Sequence, residues 1–66
     1  MFNIGDKIEI PVHYDLWARG ARFGTVTAFR KGKDGQSDCF LVKIDHYQVK
    51  KRLRLWKLDW NYAKKI

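Results

Sequence analysis

Basic and aromatic side chains are concentrated in the carboxyl-terminal third of this sequence, where together they can bind a polyanion. The 66 residues carry a net charge of +7, and residues 46–66 account for +6 of it, because seven Lys and Arg side chains accompany one carboxylate, Asp59. Four of the ten aromatic residues lie in the same segment: Tyr47, Trp56, Trp60 and Tyr62. Cations attract phosphates and flat rings stack on bases, so this segment predicts a nucleic-acid-binding surface.

The best candidate within that segment is residues 48–56, where basic and apolar residues alternate. Alternate side chains of a strand lie on one side, roughly 6.7 Å apart. If Leu53 and Leu55 face the core, the basic residues between them form an outward row that can contact successive phosphates and release counterions. A Trp at the end of the row can stack on a base, and Arg can bind a phosphate or a guanine edge. The residues predicted to bind in this way are Lys50, Arg52, Arg54 and Trp56. The alternative is a solvated surface that only keeps the protein soluble.

Two further segments carry candidate binding residues. Residues 13–22 read as a long loop, and residues 31–37 read as a turn with two glycines and an Asp-Gly step. Loops on a rigid scaffold often carry recognition residues, so both segments can extend the predicted surface. The candidates are Trp17 and Arg19 in the loop and Lys31 and Lys33 in the turn. The alternatives are that the tryptophan closes one end of the fold as a lid and that the lysines keep the turn soluble.

The elements that must position these residues are strands, because the hydrophobic period is two. The predicted strands are residues 7–12, 22–30, 39–45, 48–56 and 60–62, with a 3₁₀ turn at residues 56–59 before the last strand. Five short strands, a long first loop and no convincing helix predict an all-β fold, a single five-stranded SH3-like barrel over residues 1–66. Barrel closure would remove exposed sheet edges. We expect Trp60 in the core and leave Tyr62 open between core and surface.

The opening of the chain resembles a known class of small barrels. Gly5-Asp6-Lys7-Ile8-Glu9-Ile10, followed by Gly20 and Gly24-Thr25-Val26, is similar to the KOW-type pattern of SH3-like domains, with a longer loop between its parts. The likeness covers residues 4–30. It implies an SH3-like barrel that acts as a binding module for RNA, DNA or protein, and it does not choose among these ligands.

Catalytic and metal-binding constellations are poor in this sequence, so we expect neither an enzyme nor a cofactor or metal. Cys39 and His46 are the one thiol–imidazole combination near a hairpin, but their strand parities are opposite and a buried, inert Cys39 is favoured. His13 adds a third potential metal ligand, but the three residues lack the paired spacing of zinc sites. One enzyme family, the type II dihydrofolate reductases, shares the general frame. Its Val-Gln-Ile-Tyr strand corresponds to residues 53–56 here, where Arg54 stands in place of the glutamine, so that activity is rejected.

Cysteine usage and charge bound the compartment and the partners. The single cysteine cannot form an internal disulfide, and neither a signal-peptide pattern nor a membrane-length apolar run is present, so we expect a cytoplasmic protein that does not bind membranes. Nucleic acid, DNA or RNA, is the expected partner. The alternative is a protein-interaction module, of the kind found in phage-type accessory proteins, that docks on an acidic surface of a host protein. Phe23, Phe29 and Leu41 have outward parity, which predicts a dimer if they form one patch and a monomer if they complete the core.

Overall fold

The fold is all-β, with one five-stranded antiparallel sheet and little helix. The structure, a computed structural model, describes residues 2–66. The strands are β1 (Lys7–Glu9), β2 (Phe23–Arg30), β3 (Cys39–Ile44), β4 (Leu53–Trp56) and β5 (Lys64–Lys65). A four-residue helix α1 (Asp15–Ala18) lies between β1 and β2, and a 3₁₀ helix (Lys57–Tyr62) lies between β4 and β5. The strand order across the sheet is β4-β3-β2-β1-β5.

The core follows from the alternation of apolar residues along the first four strands. Ile8, Val26, Val42 and Leu55 are fully or almost fully buried and belong to one hydrophobic cluster. Each of these side chains leaves water as its strand pairs with the next, at about 25 cal/mol for each Å² of apolar surface removed. Trp60 packs against the cluster as expected, and its indole N–H donates to the carbonyl oxygen of Leu55 at 2.9 Å.

A β-bulge in β2 changes which side chains face outward. The register shifts between Val26, opposite Val42, and Ala28, opposite Leu41, so β2 has one extra residue at Thr27. A bulge of this kind reverses the facing of every residue after it. Phe29 therefore packs on the core residue Phe40, with ring centroids 5.2 Å apart. Phe29 stays 45% exposed, as expected for a surface residue, but its pairing places it on the side of Phe40, opposite to Leu41, so Phe23, Phe29 and Leu41 do not form one patch.

Two predicted strands are shorter than the alternation suggested. β1 ends at Glu9 because Pro11 is buried without an N–H to donate, and the chain turns there, with Tyr14 N–H bonded to the Pro11 carbonyl oxygen at 3.1 Å. β4 begins only at Leu53, because Val49 N–H donates to the His46 carbonyl oxygen at 3.0 Å and the chain turns through residues 46–49.

The last strand also lies elsewhere than predicted. Residues 60–62 belong to the 3₁₀ helix, which continues beyond the expected turn at residues 56–59. The final strand is β5, which pairs with β1, and Ile66 N–H donates to the Lys7 carbonyl oxygen at 2.9 Å. β1 thus lies between β2 and β5 in the sheet. Neither helix in residues 2–66 has the length and apolar character needed to cross a membrane.

Candidate functional site

The bulge brings Arg30 to the outer face of the sheet, where Arg54 and Trp56 of β4 also lie. After it, Arg30 lies opposite Cys39, which in turn lies opposite Trp56. In the adjacent row, Leu41 separates Ala28 from Arg54. Directly opposed residues of antiparallel strands point to the same side. The side chains of these two rows therefore share one surface across β2, β3 and β4.

A groove of about 270 Å³ lies over these rows, between the outer face and the connection from β2 to β3. We call it the basic groove, and it is lined by Arg30, Lys31, Gly32, Gln36, Ser37, Cys39, Leu41, Arg54 and Trp56. Its floor is apolar. Cys39 and Leu41 are only 4% and 9% exposed, and they lie outside the core cluster, on the side of the sheet that the groove covers. Apolar side chains at the base of a groove suit a ligand with a flat apolar part.

The charged side chains that line the basic groove are all positive. Arg30, Lys31 and Arg54 line it, all three are exposed, and no carboxylate lines it. Within residues 2–66, the ion pairs join Lys7 to Asp45, Lys65 to Asp6 and His13 to Asp59, so none neutralises a groove cation. Three positive charges around a partly apolar floor raise the local concentration of anions.

The connection that forms one wall of the groove is held by backbone hydrogen bonds. Gly32 N–H donates to the Asp38 carboxylate at 2.7 Å, which ties the start of the connection to its end. Gly32 also lies so close to the Gln36 carbonyl oxygen that a Cβ atom could not fit there. Asp34 and Gly35 both have positive φ, at 51° and 84°, which closes the turn. The shape of this wall therefore depends on the glycines and aspartates of the connection.

A cluster of polar side chains lies beside the backbone of Trp56. We call it the tyrosine cluster, and it consists of His13, Tyr14 and Asp59. Tyr14 donates its hydroxyl hydrogen to Asp59 at 2.6 Å, and His13 Nε2 lies 2.8 Å from the other Asp59 oxygen. The Tyr14 oxygen also accepts the backbone N–H of Trp56 at 3.4 Å. This chain of contacts ties the first loop and the 3₁₀ helix to the backbone at the end of β4.

The two acidic groups of the tyrosine cluster have shifted pKa values in opposite directions. Burial and the hydrogen bond to Asp59 raise the pKa of Tyr14 above its ordinary value, because both disfavour the phenolate. The hydrogen bond from Tyr14, with a further one from His13, lowers the pKa of Asp59 despite partial burial. Tyr14 is thus held neutral and Asp59 charged.

The groove brings together some of the residues expected from the sequence. Lys31, Arg54 and Trp56 line it, whereas Lys33 lies two residues from Lys31 in the same connection and does not. Lys50 and Arg52 are exposed but lie outside the sheet, before β4 begins, so the predicted continuous row on one strand is wrong for these two positions.

The first loop is organised differently from the expectation of an open recognition loop. Trp17 lies in α1, half-buried against the core, and the Arg22 guanidinium lies 4.9 Å from its ring centroid. Its ring is therefore engaged within the protein, as the lid interpretation predicts. Arg19 is exposed at the end of α1 and does not line the groove.

Sequence reasoning missed most of the groove lining. Arg30 was not a candidate because simple alternation along β2, without a bulge, places it on the same side as Val26. If the residue pairs of β2 and β3 are instead counted outward from the Gly-rich connection, Arg30 lies opposite Cys39. This count would have identified Arg30 as a groove residue. Gln36 and Ser37 carry no signal of their own, since their role depends on the wall they form.

The other surface features are less suited to anions. A second shallow groove, of about 380 Å³, is lined by Phe2, Trp60, Asn61, Ala63 and Lys65. The cation of that groove lies 3.6 Å from the Asp6 carboxylate, which offsets its charge. In the described part of the chain, no three His, Cys, Asp or Glu side chains cluster in a way that could hold a metal ion.

Comparison with protein-family models, with curated proteins and with solved structures finds no match to this chain.

Proposed function

We propose that this protein is a small, non-catalytic nucleic-acid-binding module that binds through the basic groove. The observation that carries the proposal is the convergence of Arg30, Lys31 and Arg54 with the Trp56 indole, without a carboxylate among them. The cations contact phosphates, and the indole stacks on a base. Both kinds of contact tolerate any base sequence, so affinity rather than sequence preference is the expected property.

The remaining basic residues have a weaker role in this proposal. Lys33, Lys50 and Arg52 are exposed near the connection or before β4, outside the groove lining. They attract a polyanion over distances of about a Debye length, some 8 Å at physiological salt, without fixing its position. Arg19 belongs with these long-range contributors, and Trp17 acts as the lid.

The proposed architecture is an SH3-like barrel. Support comes from the strand order, in which β1 lies between β2 and β5, and from the 3₁₀ helix between the last two strands. Curling the sheet in this way would cover its edges, as small all-β proteins require. A buried, unpaired Cys39 needs no oxidising environment, which fits the proposed cytoplasmic location.

The direct test is a titration of the full chain with labelled mixed-sequence oligonucleotides, followed by fluorescence anisotropy over a series of salt concentrations. If the three groove cations each contact a phosphate of a single strand, the log–log slope of affinity against salt is about −2. Arg54→Gln reduces both affinity and slope, whereas Arg52→Gln, a matched loss of charge two residues away, reduces them less. Binding that does not change with salt would contradict the proposal.

The rival function is docking on an acidic protein surface, which would use the same cations. Polyglutamate is a suitable probe, because it carries the charge of a nucleic acid without its bases. If Trp56 stacks on bases, an oligonucleotide of equal charge competes much better than polyglutamate. Equal competition by the two polymers would favour the rival function.

A further inference from the structure

The positions of the groove side chains bear on which form of nucleic acid fits. Arg30 and Trp56 lie on either side of Cys39, on β2 and β4, which are separated by β3. Neighbouring strands are about 4.8 Å apart, so the two flanking backbones are about 10 Å apart. A ring stacked on two flat partners, at centroid distances near the lower end of 4.5–7 Å on each side, needs about 10 Å. The spacing of the strands that carry Arg30 and Trp56 therefore matches one flat ring held between the two side chains.

The wall of the groove offers hydrogen-bonding groups for the edge of such a ring. Gln36 and Ser37 line the groove, and none of the side-chain hydrogen bonds within residues 2–66 uses the amide of Gln36 or the hydroxyl of Ser37. An amide provides donors and an acceptor, and a hydroxyl provides both roles. The edges of unpaired bases present the complementary groups, and stacking between aromatic rings and guanidinium planes is a usual way of holding such bases.

The size of the groove and the stacking of bases in a duplex both favour an unpaired base over a paired one. The groove has a volume of about 270 Å³, which is below the usual range of about 300–1,000 Å³ for pockets that hold drug-sized molecules. A groove of this size suits one small unit of a polymer, such as a nucleotide. In a duplex, moreover, the faces of the bases are covered by their neighbours, and exposing one costs a few kcal/mol of unstacking and unpairing.

We infer that the basic groove seats a single unpaired nucleotide, so that the ligand is single-stranded nucleic acid. The base lies over Cys39 between Trp56 and Arg30, its edge meets Gln36 and Ser37, and the adjoining phosphates meet Lys31 and Arg54. This inference rests on the proposed function and names its ligand class. The sugar is not chosen by these contacts, so DNA and RNA strands share the chemistry.

The test compares oligonucleotides that differ by one base and share every phosphate. An eight-residue strand that is abasic throughout is titrated into the full-length protein beside the same strand with one central thymine. The added base is expected to raise affinity about tenfold, as stacking on aromatic side chains does. A duplex of equal length is expected to bind more weakly than a single strand that carries all its bases. A strand with ribose in place of deoxyribose separates RNA from DNA.

A protein variant assigns the gain to the groove. Trp56→Leu is expected to remove most of the advantage of the single base and to leave the affinity for the abasic strand nearly unchanged, whereas Trp56→Phe keeps part of the advantage. Circular dichroism checks that the variants are folded. If Trp56→Leu does not fold, Gln36→Ala and Ser37→Ala on the exposed connection replace it, with an expected loss of a few-fold for the based strand alone.

The results separate the two levels of the proposal. If the central thymine adds nothing on the wild-type protein, or if the duplex binds as tightly as the single strand, the unpaired-nucleotide inference is overturned while salt-dependent binding keeps the proposed function. If no oligonucleotide binds at low salt, both are overturned.

Discussion

The basic groove and the tyrosine cluster both contact Trp56. The polar groups of the tyrosine cluster are paired with one another, whereas the cations of the basic groove are not paired with carboxylates. In the tyrosine cluster, both Asp59 oxygens have partners and Tyr14 both donates and accepts. In the basic groove, three cations lie together without a counter-charge among the described ion pairs. Paired polar groups stabilise the fold, whereas unpaired exposed cations mainly repel one another. Substitutions in the tyrosine cluster are therefore expected to change stability, and substitutions in the basic groove are expected to change binding.

The largest expected effect is a loss of binding that spares the fold. The double variant Arg30→Gln/Arg54→Gln removes the guanidinium that stacks on the base and one charge-assisted phosphate contact, together worth at least about 2 kcal/mol, so affinity for a single strand falls by at least about 30-fold. The free energy of unfolding changes by less than about 0.5 kcal/mol, because both side chains are exposed. Anisotropy and urea unfolding measure the two quantities.

The matched control is Lys50→Gln/Arg52→Gln, which removes the same charge from residues outside the groove. Its affinity should fall only a few-fold, through the long-range attraction. Equal losses in the two double variants would show that net charge, and not the groove, governs binding.

The next largest effect is on stability and leaves binding nearly intact. Tyr14→Phe removes the hydroxyl that bridges Asp59 and Trp56 N–H, so the free energy of unfolding falls by about 1–3 kcal/mol. Urea unfolding measures this loss. Tyr47→Phe is the control, because Tyr47 is 81% exposed and is expected to tolerate the change within about 0.5 kcal/mol. A stable Tyr14→Phe protein that no longer binds would reverse the assignment of the two regions.

The pH dependence of stability reports on the tyrosine cluster and not on the basic groove. The folded state lowers the pKa of Asp59 below 3.8, so the unfolded chain takes up a proton there at higher pH than the folded protein does. The stabilisation is therefore present above about pH 4 and is lost as the pH falls through the lower, folded-state pKa. Tyr14 behaves in the opposite sense: its pKa is raised from 10.0, and its contribution is lost as the pH rises above that value.

Unfolding measured from about pH 6 down to about pH 2 checks this prediction. Asp59→Asn should be less stable than the wild type near neutral pH and should lose less stability on acidification. The same acid dependence in both proteins would contradict a role for Asp59. The groove variants, in contrast, should follow the wild-type curve.

The smallest effect tests the edge of the groove. Lys31 lines it and Lys33 does not, although both are exposed lysines of one connection. Lys31→Gln is expected to weaken single-strand binding about threefold to tenfold and to make the salt slope less negative by about 0.7. Lys33→Gln should change both less, and identical behaviour of the two would place the boundary of the binding surface elsewhere.

Alternation of apolar residues was enough to predict the all-β class, the first four strands in outline and much of the core, because burial of Ile8, Val42 and Leu55 depends only on parity within their own strands. It could not predict the bulge at Thr27, since Val26 and Phe29 are both apolar and satisfy the core with or without an extra residue. Arg54 and Trp56 were found because β4 is regular. Lys50 and Arg52 were misplaced because the turn at residues 46–49 depends on backbone hydrogen bonds and not on hydrophobic pattern.

The bulge at Thr27 also has an evolutionary consequence. Deletion of one codon there would leave every groove residue in the sequence but would rotate the rest of β2 by half a turn. The guanidinium of Arg30 would then point toward the core and the ring of Phe29 toward solvent. The binding surface is therefore encoded by the length of a strand as much as by the identity of its residues. A lineage could lose or acquire it by a single in-frame insertion or deletion, without any change in the charges it carries.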